Sequence, residues 1–206
     1  MNDIAPIKFK LTTVNRKGFE LQEINYNMDV LNILAAQQCA QICLHTDIIN
    51  RYNVKLFIEL GTYMGGGLAH VIPNLMLDRE FRYVGFEILP WKVDGKIRRF
   101  ESEHPRCKIF LEDMFLEHHL SAMSELISST RGTAYVFCDG GDKPKELHTF
   151  SEFLRVGDII SVHDYVEDQT GEVTDADLEK LSDDFAPLDE ELRKDLLWMP
   201  TFIRTK

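Results

Sequence analysis

The chain has 206 residues, 44% of them hydrophobic, enough to bury one full core and too few to require two domains. Its 34 acidic and 23 basic side chains give a formal net charge of −11, which leaves no broad basic surface for a phosphate backbone and excludes nucleic acid as the expected partner. No stretch reaches the roughly 18 to 20 apolar residues of a membrane span, and Met1 to Lys10 carries Pro6 and charges instead of an apolar leader, so a cytoplasmic protein without a membrane partner is expected.

Phe9 to Thr13 and Phe19 to Ile24 read as a hairpin turning at Arg16-Lys17-Gly18. From Asp29, a plausible N-cap, to Tyr52, apolar residues recur at three- and four-residue steps and predict one amphipathic helix. This hairpin and helix offer a surface on which a homodimer could form. Five short β-rich runs follow, at Lys55 to Ile58, Arg82 to Phe86, Cys107 to Leu111, Ala134 to Cys138 and Asp158 to Val162. Helical stretches separate them, which argues for parallel strands joined by crossover helices. Leu147, Phe150 and Leu154 share one helical face, with Pro144 suited to that helix's first turn and Gly157 closing the loop into the fifth strand. The acidic stretch Val166 to Asp195 is expected to be a helix or cover, before a last strand at Leu197 to Ile203. Within it, Glu167 to Glu191 could act as a lid, with solvated surface as the default. Cys39, Cys43, Cys107 and Cys138 lie in apolar segments, and the one close pair has helical spacing, as buried free thiols do in a reducing compartment.

Ligands of open α/β sheets sit beyond the carboxyl ends of the strands. Here those ends carry Glu59, Glu87, Glu112 or Asp113, and Asp139, with Asp164 two residues past the fifth strand. The first strand runs into Glu59-Leu60-Gly61-Thr62-Tyr63-Met64-Gly65-Gly66-Gly67. Glycines there let a backbone approach a ligand closely, and a following helix start would present free N–H groups. A packing turn explains one such glycine but not four. A dinucleotide loop would read G-x-G-x-x-G, whereas this one reads G-x-x-x-G-G-G.

That spacing, with Glu59 ahead of it, resembles the first motif of class I methyltransferases, which hold S-adenosylmethionine. The resemblance implies that Glu59 positions the methionine end of the cofactor and that the loop, with Gly61, Thr62, Tyr63, Gly65 and Gly66, admits the sulfonium and sugar. Glu87 ends an apolar strand where a carboxylate can accept both ribose hydroxyls. Asp113 matches the position that meets the adenine amino group, with an N-cap for the next helix as the alternative.

Asp139-Gly140-Gly141-Asp142-Lys143 and Ser161-Val162-His163-Asp164-Tyr165 extend the resemblance, over about Val54 to Tyr165, to the branch of cephalosporin-hydroxylase-like proteins and macrolide sugar O-methyltransferases. A Rossmann-like fold is then implied, with a mostly parallel twisted sheet, helices on both faces and the short amino-terminal hairpin and helix as an extension. The whole chain reads as one domain: extension 1–53, cofactor core 54–165, acidic cover and final strand 166–206. The branch often binds Mg2+ through acids matching Asp139, also at the cofactor site, and Asp164; His163 replaces the first acid of the final pair. Two carboxylates could suffice for Mg2+, while imidazole is an atypical ligand for it. Where relatives carry a catalytic histidine this chain has Asp142, so Asp142 and His163 both stand as candidate bases, with Asp139 and Asp164 beside the reacting hydroxyl. Asp142 could instead complement the helix dipole near Pro144, Lys143 and Lys145 read as solvated, and His118 and His119 suggest no ligand set. The expected reaction is O-methylation of a small hydroxylated molecule, with Mg2+ assistance open. An NAD-dependent oxidoreductase and a non-catalytic S-adenosylmethionine-binding module are the rivals.

Overall fold

The computed structural model describes residues 9–16, 19–26, 32–35, 39–63, 71, 74, 75, 77–93, 95–165, 172–181, 183–188 and 199–206. Asp29, Gly65, Gly66, Gly67 and residues 166–171 and 189–198 lie outside them.

The amino-terminal segment pairs as β1 (Phe9–Arg16), β2 (Phe19–Tyr26) and β3 (Asn32–Ala35) in an antiparallel sheet. The third strand corrects the expected helix from Asp29. Asn32–Ala35 is short enough to fit either period, and its register against Gln22–Asn25 makes it extended. Helix α1 (Cys39–Arg51) therefore starts ten residues later than Asp29 and delivers the chain to the core.

The core strands fall where the β-rich runs place them: β4 (Val54–Leu60), β5 (Arg82–Phe86), β6 (Cys107–Phe110), β7 (Thr133–Cys138) and β8 (Ile159–Val162). Helices α2 (Gly95–Glu103), α3 (Glu117–Ser129) and α4 (Lys143–Ser151) occur between them. The acidic stretch holds the short α5 (Asp175–Leu178) and a strand, β9 (Phe185–Pro187), not read from its composition. The last strand, β10 (Thr201–Arg204), returns antiparallel to both β8 and β9. The sheet order is β6-β5-β4-β7-β8-β10-β9, with β6 through β8 parallel. Winding proceeds one way from β4 and the other way from β7, so the two strands flank the switch point where such sheets bind ligands.

Strand alternation sorts the core into two layers. Phe57, Tyr83, Tyr135 and Phe137 pack with Ile48 of α1 and with Ile97 and Phe100 of α2. Leu56, Ile58, Val84 and Val136 pack with Met123 and Ile127 of α3 and Leu147 and Phe150 of α4. Each such side chain contributes about 1.5–3 kcal/mol by leaving water, which makes the sheet a rigid mount for its loops.

At the amino-terminal edge of β7 and β8, Asp158 accepts hydrogen bonds from the backbone N–H of Ala134 and Arg155, both at 2.8 Å, and from the Arg155 guanidinium. Arg155 also donates to the carbonyls of Thr130 and Gly132. Among the described residues, no helix is long and apolar enough to cross a membrane.

Candidate active site

The loops after β4, β5, β6 and β7 enclose a cleft of about 400 Å3 whose lining includes Gly61, Tyr63, Glu87, Asp113, Asp139 and Asp142. Gly61 has φ +92°, and its N–H and that of Thr62 both donate to the Phe86 carbonyl, at 3.0 and 2.9 Å. A Cβ at Gly61 would run into the Asp139 carbonyl, so the close approach of the two loops requires glycine. Tyr63 is also left-handed, at φ 46°, a conformation a bulky residue keeps only where its surroundings fix it. Its N–H donates to Glu87 at 2.7 Å, and the Leu89 N–H donates to the other carboxylate oxygen at 2.8 Å. These bonds orient Glu87 while leaving lone pairs for a ligand in the cleft.

Glu59 and Thr62 lie beneath this wall. Glu59 is fully buried and accepts a hydrogen bond from the Tyr83 hydroxyl, which lies 3.3 Å from Thr62 Oγ1. Burial, reinforced by Glu59, raises the Tyr83 pKa well above its ordinary value. Asp113 lines the cleft and also accepts from the Phe115 N–H at 2.9 Å, so the cleft and turn readings coexist.

A compact ionic cluster adjoins the cleft at Asp139. His163 Nδ1 lies 3.1 Å from Asp139 Oδ1 and 2.9 Å from Asp164 Oδ1. Burial disfavours the imidazolium, but the two carboxylates outweigh it and lift the His163 pKa to about 9. The hydrogen bond from His163, helped by Lys143, overcomes the burial of Asp164 and lowers its pKa to about 2. Asp164 itself has φ 59°, in the left-handed region an aspartate tolerates. Lys143 is turned inward, with its side chain 5% exposed, 3.1 Å from Asp164 and 2.6 Å from Glu172. Burial opposes its charge, and Glu172, Asp164 and Asp139 together more than offset that, raising its pKa.

The ligand atoms of Asp139, His163 and Asp164 lie within 4.8 Å of one another, a spacing one ion could share. As arranged, however, the set does not fit Mg2+. Lys143 already stands 3.1 Å from Asp164 Oδ2, so an ion would have to share that carboxylate with an ammonium, and the third member of the set is a nitrogen, which Mg2+ does not favour over oxygen.

Asp142 caps α4, accepting from the Lys145 N–H at 3.2 Å, and its side chain remains exposed at the cleft. Glu146 was not singled out in the sequence. It is fully buried and accepts from the N–H of Gly140 at 3.0 Å and of Asp142 at 3.3 Å, so it shapes the loop after β7. Burial raises its pKa to about 7. No capping-box spacing marks it, since Glu146 lies four residues after the capping Asp142, where that pattern needs three. His118 and His119, read as having no ligand partners, converge on Glu112 at 3.5 and 3.0 Å beside the cleft.

No protein-family model and no curated sequence matches the chain. Solved structures do. CmcI-D160 with Mg and SAM aligns at TM-score 0.64 and 13% identity, covering 83% of this chain and 73% of that one. CmcI-N160 with SAH aligns at TM-score 0.58 and 12% identity, covering 82% and 77%. A DUF574 family protein from Streptomyces avermitilis MA-4680 aligns at TM-score 0.52 and 12% identity, covering 81% of each chain. The chain therefore has the Rossmann-like class I methyltransferase fold, with its cleft at the switch point between β4 and β7.

Proposed function

We propose that this protein is an S-adenosylmethionine-dependent methyltransferase that methylates the hydroxyl oxygen of a small molecule. The observation that carries this reading is the convergence of Gly61, Tyr63, Glu87 and Asp113 on one cleft at the carboxyl ends of β4 to β6. Glu87, already oriented by two backbone N–H groups, receives the ribose hydroxyls. Asp113 meets the adenine amino group, Phe86, Ile88, Leu89 and Met114 supply apolar walls, and Gly61 with the loop beyond it admits the sulfonium. The Mg-SAM and SAH forms of CmcI, on the same fold, support a cofactor in this position.

Methyl transfer is an in-line displacement: the acceptor oxygen bonds to the methyl carbon, the carbon–sulfur bond breaks onto sulfur, and the acceptor proton must leave. Asp142 is exposed at the cleft and takes that proton. His163, held as imidazolium between Asp139 and Asp164, keeps those carboxylates in place instead of accepting the proton.

Calorimetric titration with S-adenosylmethionine tests the cofactor assignment. Wild type binds, and Glu87→Ala binds roughly 10- to 100-fold more weakly for the loss of a charge-assisted acceptor. Equal affinity, or binding by neither, sinks the reading, and tight binding of NAD instead would move the protein to the oxidoreductases. With an acceptor found by screening hydroxylated metabolites for S-adenosylhomocysteine release, Asp142→Asn lowers kcat by about 10^2 or more with cofactor affinity kept.

A further inference from the structure

We propose that this protein works without a divalent metal, because the Lys143 ammonium and the His163 imidazole fill the place between Asp139 and Asp164 where an ion would sit. An ammonium has three N–H donors. Lys143 donates to the Gly140 carbonyl at 3.1 Å and to Glu172 Oε2 at 2.6 Å, and its ammonium is ion-paired with Asp164 Oδ2 at 3.1 Å, with Asp139 at 4.0 Å. A lysine beside the first turn of a helix ordinarily extends its stem into water, whereas this one is drawn inside. The Oδ1 atoms of Asp139 and Asp164 both face His163 Nδ1. Each acid thus already faces a nitrogen of the chain, and the third member of the triad is itself a nitrogen, which Mg2+ does not favour over oxygen.

The substitution changes what the cluster does. A bound ion can contact an acceptor oxygen, but the Lys143 ammonium is turned inward, 5% exposed, and engaged by the Gly140 carbonyl and the Glu172 and Asp164 carboxylates. It is a positioning residue: it ties the loop after β7, through Gly140, to the loop after β8, through Asp164, and to Glu172 at the start of the described cover. The link to catalysis rests on the methyltransferase reading. Metal occupancy does not, so a failed cofactor titration would sink that reading and leave this inference to its own test.

The experiment is titration of Mn2+ into the purified full chain near neutral pH, followed by the electron paramagnetic resonance of the free ion and by calorimetry. Wild type is expected to bind no Mn2+ that depends on Asp164. Lys143→Met, with one fewer positive charge among the same carboxylates, is expected to gain Mn2+ at least roughly tenfold more tightly than wild type and to melt higher in its presence. Lys143→Arg should restore indifference to the ion. Wild-type binding of one Mn2+ per chain that disappears in Asp164→Asn would overturn the proposal, and that comparison stands even if Lys143→Met does not fold. Binding that survives Asp164→Asn, at the Glu112, His118 and His119 triad for example, would also overturn the proposal, because a divalent ion would then sit beside the cleft after all. A folded Lys143→Met that gains no Mn2+ would also overturn it.

Discussion

The sheet carries an ionic cluster at each end of its parallel strands, built on opposite principles. At the amino-terminal edge one acid, Asp158, with its side chain 2% exposed, meets one base, Arg155, and the backbone N–H groups of Ala134 and Arg155 complete the set. At the carboxyl edge two cations, Lys143 and His163, sit among three carboxylates, and Asp164 is 44% exposed. The first cluster joins backbone to backbone, and neither Asp158 nor Arg155 lines the cleft. The second joins loops to one another beside a cleft. Similar residue types therefore stabilise in one place and arrange a site in the other, the deciding difference being whether every partner belongs to the scaffold.

The largest expected effect breaks the first cluster. Asp158→Ala strands the donors of Ala134 and Arg155 and leaves a guanidinium without its acid; discounted for the partial exposure of Arg155, the cost is about 2–4 kcal/mol, or roughly 5–15 °C in Tm. Asp164→Ala, at the partly exposed cluster, should lower Tm by no more than about 3 °C. Thermal denaturation of the two variants measures the contrast, and equal losses would show that both clusters are structural.

Gly61→Ala should come next. Its φ of +92° and the Asp139 carbonyl against it leave no relaxed position for a methyl group, so about 1–3 kcal/mol is lost. The same substitution pushes the two loops of the cleft apart, and cofactor affinity should fall more than tenfold, which is about 1.4 kcal/mol. A stability loss with unchanged affinity would detach Gly61 from the site and leave it a packing glycine.

How much of this was legible in the sequence depended on whether the signal was local. The five core strands announce themselves as β-branched and aromatic runs, and the acids at their ends follow from the topology such runs imply. Strand β3 was hidden because Asn32–Ala35 is short and pairs with a partner the helical periodicity ignores. Strand β9 was hidden because Phe185-Ala-Pro is extended only by its register against β10. In the site, Glu87, Asp113 and Asp139 line the cleft as strand-end acids should. Lys143 read as a solvated charge since its partners, Asp164 and Glu172, lie 21 and 29 residues further on and are brought to it by folding. His118 and His119 were passed over for the same reason: Glu112 reaches them only because β6 ends beside the first turn of α3.

The smallest effect concerns pH and separates members of the carboxyl-edge cluster. The His163 pKa is raised to about 9 in the fold from an ordinary value near 6.5, so the folded state holds the proton more tightly than the unfolded one. The stabilisation is complete below about pH 6.5 and is lost as pH climbs through 9, an effect that solvent screening at the half-exposed Asp164 reduces to about 1 kcal/mol or less. Denaturant unfolding of His163→Gln should lack that slope between pH 6.5 and 9. Glu146, raised to about 7 by burial, works in a lower window: its protonated form favours the fold, and stability declines as pH rises from about 4.5 through 7. Glu146→Gln should flatten the lower decline and leave the upper one. If instead His163→Gln flattened the lower window, the imidazole would be titrating near its ordinary value, and Asp139 and Asp164 would not be holding it as the cation that completes the cluster.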